Sequence, residues 1–219
     1  MIKGVIFDMD GVLIISEGVH VRSAKKAFQK HSIDLKEEDV GLIVGRTSPD
    51  ALRLLMKKYK LNEEMFETLL HEKRVFYREK YHEIQLREGI KEVLNKLREK
   101  YRIGLATNSS KHYADITLKR LPDVFEKIAT GDEVEKPKPS PDVYLKILDK
   151  MKLSREECIV IEDSSVGTAS AKAAGIKVIA CPTEYTKGGD FSKADVIVKD
   201  LREITVGFIE RLNPDKIKK

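Results

Sequence analysis

Cysteine is nearly absent from this 219-residue chain, which has only Cys158 and Cys181, each inside an apolar stretch. Residues so placed read as small core residues of an intracellular protein, and neither a disulfide staple nor a catalytic thiol is expected. Long hydrophobic runs are missing too: no stretch reaches the roughly 18 apolar residues of a membrane span, and the N-terminus lacks a basic region followed by a long apolar run. A soluble, cytoplasmic protein with no membrane partner is the expectation. No block of one charge stands out, since 41 Lys and Arg against 36 Asp and Glu are spread along the chain for a net charge of +5. Aromatic residues make up 6% and no basic stripe is interleaved with them, which argues against a nucleic-acid partner. The mild positive balance gives small anionic ligands a weak long-range attraction. There is no internal repeat and no low-complexity tract, and the closing Lys216-Ile217-Lys218-Lys219 reads as a frayed end.

What is present is an alternation. Short β-rich runs at Gly4-Val5-Ile6-Phe7, Ile103-Gly104-Leu105-Ala106, Cys158-Ile159-Val160-Ile161, Val178-Ile179-Ala180 and Val196-Ile197-Val198 read as strands buried on both faces. Between them, Ile90, Val93, Leu94 and Leu97, and then Val143, Tyr144, Ile147, Leu148 and Met151, recur at helical spacing. The pattern predicts an α/β fold, a parallel sheet flanked by helices on both faces. From about Glu17 to Tyr81 the spacing is helical throughout, around Ala24, Ala27 and Phe28, around Ala51, Leu52, Leu55 and Tyr59, and around Met65, Phe66, Leu69 and Leu70. This predicts an all-helical domain over residues 16–85, inserted into a core of residues 1–15 and 86–219. Two linkers, near Ile15-Ser16 and Gln85-Leu86, would form a hinge.

Ligands of such sheets bind beyond the carboxyl ends of the strands, so the polar residues directly after each apolar run carry the interest. They are Asp8 and Asp10, then Thr107, Asn108 and Ser109, then Glu162 and Asp163. Asp8-Met9-Asp10-Gly11 sets two carboxylates at the end of a buried strand, where charge is costly unless a cation or donor offsets it. Taken alone, such a sequence also serves as a turn or cap. A metal is the economical explanation, and the hard oxygens of Asp8 and Asp163 suit Mg²⁺. Lys136-Pro137-Lys138-Pro139-Ser140-Pro141-Asp142 is a proline-stiffened loop leading into a helix. By itself it is a rigid connector with solvated lysines. Beside clustered carboxylates, a lysine held there would offset their charge and bind a phosphoryl oxygen.

Together, Asp8-x-Asp10-Gly11, Thr107-Asn108, Lys138-Pro139-x-Pro141-Asp142 and Glu162-Asp163-Ser164 resemble the four motifs of the haloacid dehalogenase superfamily, in order and spacing over nearly the whole chain. The details are similar to its β-phosphoglucomutase and phosphoglycolate-phosphatase branch, in which a small helical cap is inserted after the first strand. The resemblance implies a Rossmann-like core with a helical cap, and a Mg²⁺-dependent phosphatase working through an aspartyl phosphate on a small-molecule phosphate ester. It casts Asp8 as nucleophile, Asp10 as general acid and base, Thr107 and Asn108 as phosphate-binding residues, and Lys138 as the catalytic lysine that also grips the phosphate. Asp8, Asp10 and Asp163 would hold the metal with Glu162 in support. The second aspartate argues against dehalogenation, because halide leaves without a proton and the family's dehalogenases lack this residue.

Substrate choice is expected from the cap. By the same resemblance His20 and Lys73 reach toward the active site, and Arg46 in Gly45-Arg46-Thr47-Ser48 is a further candidate for gripping an anionic substrate. Each is also a plausible helix-surface or cap-loop residue. One position departs from the family: Ile15 stands where an acidic residue usually precedes the Ser/Thr-Glu, here Ser16-Glu17. The expected activity is hydrolysis of a sugar phosphate or phosphoglycolate-like ester. The alternatives are a phosphosugar mutase with the same nucleophile and a non-catalytic binding protein that keeps the fold.

Overall fold

In the computed structural model, which describes residues 1–212, the apolar runs become strands of one sheet. The expectation for Lys216–Lys219 lies outside the described residues. In chain order the elements are β1 (Gly4–Phe7), β2 (Ile14–Ile15), α1 (Glu17–Gln29), α2 (Val40–Ile43), α3 (Ser48–Lys58), α4 (Phe66–Lys80) and β3 (Gln85–Leu86). They continue with α5 (Ile90–Arg98), β4 (Arg102–Ala106), α6 (Lys111–Leu118), β5 (Phe125–Ala129), α7 (Asp142–Met151), β6 (Cys158–Glu162), α8 (Ser165–Ala173), β7 (Lys177–Ala180), β8 (Val196–Ile197) and α9 (Val206–Arg211). Two compact units result, Met1–Ile14 with Leu86–Lys219, and Ile15–Gln85.

The first unit is an α/β, Rossmann-like domain. Its six strands run in the order β5-β4-β1-β6-β7-β8, paired in parallel. β1 and β6 lie at the centre with every residue buried, and apart from the closing Glu162 they are the apolar runs that burial on both faces requires. Phe7 lies in register with Leu105 on one side and with Ile161 on the other. The residues that follow, Asp8, Ala106 and Glu162, therefore emerge at one level of the sheet. The apolar face of α7, with Val143, Tyr144, Ile147 and Met151, packs into a core with Ile6, Ala106, Val160 and Val178. Ile90, Val93, Leu94 and Leu97 of α5 are buried as their spacing predicts.

Two edge strands depart from expectation. β5 carries no continuous apolar run, because Glu126 and Lys127 are exposed and its register against β4 shifts between Ile103 and Gly104. An edge strand needs fewer buried positions, so its sequence signal is weak. β8 was expected to be buried on both faces, yet it is two residues long and Ile197 is 57% exposed. It closes the other edge of the sheet, where among the described residues one side has no neighbouring strand.

The second unit is helical, with Ala24, Ala27 and Phe28 of α1, Leu52 and Leu55 of α3 and Leu69 of α4 forming its core. α3 starts where the sequence supplies both a cap and a stop: Thr47 accepts a hydrogen bond from the main chain of Asp50, and Pro49 lies in the first turn. Tyr59 caps the end of α3 and Met65 precedes α4, each one residue outside the helix its spacing suggested. Among the described residues, no helix is long and apolar enough to cross a membrane.

Candidate active site

The turn after β1 is shaped by its neighbours. Asp8 ends the strand, its main chain donating to Ile161 at 3.0 Å, and its side chain is buried. The chain then reverses, with Leu13 donating to Met9 and Gly11 to Ile14. Gly11 has φ +80°, and a Cβ there would fall 2.1 Å from Oδ2 of Asp163. Only glycine fits both the conformation and the approach of that carboxylate. Arg87 braces the turn from below, donating to the carbonyls of Gly11 at 2.5 Å, Cys181 at 2.8 Å and Pro182 at 3.3 Å, and to Sγ of Cys181 at 3.0 Å.

Lys138 enters this cluster from the loop before α7. Its buried Nζ donates to Oδ1 of Asp8 at 2.6 Å, Oε1 of Glu162 at 2.8 Å, the hydroxyl of Tyr144 at 3.0 Å and the carbonyl of Ala106 at 3.2 Å. Burial opposes a charged ammonium, but the charges of Asp8 and Glu162 outweigh it and hold its pKa well above the usual value. For Asp8 the balance goes the other way. Burial, opposed by Lys138 and reinforced by the charges of Glu162 and Asp10, pushes its carboxyl up to about 8. One buried cation does not neutralise this many carboxylates.

The remaining anions sit at the end of β6. Ligand atoms of Asp8, Glu162 and Asp163, all buried, lie within 4.8 Å of one another. An all-oxygen set with surplus negative charge fits a hard divalent cation. Within the set, both Glu162 oxygens are already engaged: Oε1 by Lys138 and Tyr144, Oε2 by the main chains of Asp163 and Ser164 and the Ser164 hydroxyl. Gly167 in α8 makes room for that carboxylate, since a Cβ there would lie 1.7 Å from Oε1. The Asp10 carboxylate falls outside the cluster; its Oδ2 accepts the Ser109 hydroxyl at 2.6 Å.

The loop after β4 supplies the hydroxyls. Thr107 is buried, its main chain bonded to Ala129 and its Oγ1 accepting from the main chain of Ser109 at 3.0 Å. The Asn108 side-chain oxygen accepts from the main chain of Lys138 at 3.0 Å, so Asn108 ties the second motif to the third. Tyr144 was expected only as a core residue of α7. Its ring does lie in the core, and its hydroxyl donates to Glu162 at 2.8 Å. The hint was a polar-tipped aromatic on the buried face of the helix that follows the lysine loop.

The three cap candidates His20, Arg46 and Lys73 all belong to the helical unit. Lys73 of α4 is buried, donates to Oγ of Ser48 at 2.7 Å and lies 3.3 Å from Nδ1 of His20. Burial, reinforced by the charge of Arg74, lowers its amine to about 8. The His20 ring stacks on Tyr77 with centroids 4.1 Å apart, and burial, followed by the charge of Lys73, keeps its pKa well below the usual value. Arg46 is turned back on its own loop, donating to the carbonyls of Gly41 at 2.8 Å and Val44 at 3.5 Å.

Comparison with known proteins gives a consistent set. A family profile described as haloacid dehalogenase-like hydrolase matches residues 5–181. The protein CbbY of Rhodobacter capsulatus is 33% identical over 214 residues, covering 91% of this chain and 94% of that protein. A phosphorylated carbohydrates phosphatase of Thermotoga maritima is 31% identical over 184 residues, covering 81% and 83%. Among solved structures, CbbY from Rhodobacter sphaeroides in complex with xylulose-1,5-bisphosphate superposes with a TM-score of 0.80 at 26% identity, covering 93% of this chain and 96% of that one.

Proposed function

This chain belongs to the haloacid dehalogenase-like hydrolase family, and from that membership we propose a Mg²⁺-dependent phosphatase that moves the phosphoryl group of a small phosphorylated carbohydrate first to Asp8 and then to water. That it is a phosphatase of phosphorylated metabolites follows from the family and from the relatives' activities. The observation that carries the finer reading is the Lys138 ammonium, bonded to Asp8 within a cluster of buried carboxylates.

In the first half-reaction a carboxylate oxygen of Asp8 attacks phosphorus. The bond to the ester oxygen breaks with its electron pair, Asp10 gives that oxygen a proton, and the alcohol leaves. In the second half, water attacks the phosphorus of the aspartyl phosphate while Asp10 takes its proton. Inorganic phosphate departs and Asp8 is restored. Lys138 offsets the charge of the approaching anions, and Thr107 contributes a phosphate-binding hydroxyl. Bound by Asp8 and Asp163, Mg²⁺ would supply positive charge for the phosphoryl oxygens. Glu162 acts in support, orienting Lys138 and the main chain at Asp163, because its oxygens are committed to them. Asn108 acts chiefly as a tie between loops.

Residues 16–85 serve as the substrate-selecting cap on a core of residues 1–15 and 86–219. Within the cap, Lys73 carries the argument for anion recognition, since the groups bonded to its amine, Ser48 and His20, bring no negative charge in a neutral imidazole and hydroxyl. Arg46 stays a candidate beside it, since of its guanidinium nitrogens it is Nη1 that donates to the loop carbonyls of Gly41 and Val44. A sugar phosphate is favoured by what the Thermotoga phosphatase acts on and by the bisphosphate bound to the Rhodobacter structure.

The test is a phosphate-release screen over sugar, glycolate and nucleotide monophosphates, with and without Mg²⁺, using the parent and Asp8→Asn. Mg²⁺-dependent release from sugar phosphates by the parent alone is expected. Release by Asp8→Asn at the parent rate would overturn the nucleophile. Conversion of β-glucose 1-phosphate to glucose 6-phosphate without free phosphate would replace the phosphatase by a mutase.

A further inference from the structure

We propose that Ser109 is the positioning residue for Asp10, fixing the carboxylate that protonates the leaving group. The inference rests on the reading of Asp10 as general acid and deepens it. Its basis is the 2.6 Å bond from the Ser109 hydroxyl to Oδ2 of Asp10, which joins the turn after β1 to the loop after β4.

The bond does little for either loop. Main-chain and side-chain groups other than this hydroxyl already hold the segment: Thr107 donates to Ala129, Ser109 N–H to Thr107 Oγ1, Gly131 to the Ser109 carbonyl, and Lys111 N–H to Asp132. Gly131 sits so close to the loop that a Cβ would lie 2.2 Å from the Asn108 carbonyl. The turn carrying Asp10 is closed by Gly11 to Ile14 and Leu13 to Met9. Both backbones are thus set without the hydroxyl, and what it adds is a restraint on one oxygen of the Asp10 carboxylate.

That restraint answers a physical problem. A carboxyl that exchanges among its rotamers presents its proton to the leaving oxygen only part of the time, and a bond to one of its oxygens narrows that choice. Proton transfer in the transition state demands heavy-atom separations of about 2.6–3.2 Å, so loss of orientation costs rate although both aspartates remain. A serine hydroxyl suits the task because it donates to the carboxylate without adding charge to a crowded site.

General acid assistance matters for a poor leaving group and little for an activated one, which gives a readout that loop stability does not move. The experiment measures kcat/KM, which reports transfer to Asp8, for benzyl phosphate and 4-nitrophenyl phosphate with the parent, Ser109→Ala, Ser109→Thr and Asp10→Asn. In Ser109→Ala the loss for benzyl phosphate is expected to exceed that for 4-nitrophenyl phosphate by about ten-fold, a part of the roughly 10²–10⁴-fold such catalysis supplies. Ser109→Thr, which keeps the hydroxyl, should restore most of the difference. Asp10→Asn should show the same order with a larger gap. Equal losses on both esters in Ser109→Ala, or none on either, would overturn the role of Ser109 while leaving that of Asp10 intact. A uniform loss in Asp10→Asn would instead remove the general acid itself.

Discussion

Lys138 and Asp8 lie 130 positions apart in the chain and meet in a buried ion pair of 2.6 Å, to which Glu162 adds a second carboxylate on the same ammonium. Such a pair is costly to assemble and more costly to halve, since removing one partner leaves buried charge uncompensated.

Lys138→Met should therefore lose both stability and turnover. A drop of about 3–5 kcal/mol in unfolding free energy is expected, measured by urea denaturation, with phosphate release falling at least about a hundred-fold. An unchanged denaturation midpoint would show that the carboxylates find another counter-charge.

Mg²⁺ should raise the melting temperature of the substrate-free protein, because it binds the folded carboxylate set and not the unfolded chain. At a hundred times its dissociation constant a ligand adds about 2.7 kcal/mol. Asp163→Asn should lose the shift while remaining folded, whereas Mg²⁺ stabilising both proteins equally would place the cation elsewhere.

Gly11→Ala should destabilise by about 1–3 kcal/mol from backbone strain alone, and more from the collision with Asp163, whose Oδ2 would lie 2.1 Å from the new Cβ. Mg²⁺ affinity should fall with it. Thermal melts with and without the ion check both effects; a fully active, equally stable alanine variant would refute this packing.

Lys73 gives a pH signature of definite sign. Its amine is lowered to about 8 in the folded state, first by burial and then by Arg74, against about 10.4 for an exposed lysine. Between these values the unfolded chain binds more protons, so this group makes stability rise with pH across that window. The stability of the parent relative to Lys73→Met, followed by urea unfolding from pH 7 to 10.5, should rise accordingly. KM for an anionic ester should climb above about pH 8 in the parent and be high throughout in the variant.

How far these features could be read without coordinates depends on what each side chain touches. Asp8 and Asp163 were legible because they follow apolar runs, and parallel register then forces neighbouring run ends to one level of the sheet. The α7 and α5 faces were legible for the same reason, since burial imposes periodicity. Pairings between distant loops leave no such trace. Ser109 was visible as a polar residue after β4, but nothing in its local sequence names Asp10 as its acceptor. Helical spacing identified Tyr144 as buried and was silent about a hydroxyl reaching Lys138 and Glu162. Arg46 suggested a ligand because a guanidinium suits anions, and nothing in its local sequence tells that its Nη1 also holds the carbonyls of Gly41 and Val44. β5 stayed hidden because an edge strand with Glu126 and Lys127 exposed need not alternate.

The Arg87 brace over Cys181 has a practical corollary. Both thiols are buried, and burial pushes Cys181 up to about 11 and Cys158 up to about 12, so neither carries appreciable thiolate near neutrality. A thiol-modifying dye meets them only when the sheet comes apart, one sulfur at the start of β6 and the other just past β7. The native chain thus contains its own pair of unfolding clocks, and the pace of labelling under native conditions counts how often this half of the molecule opens.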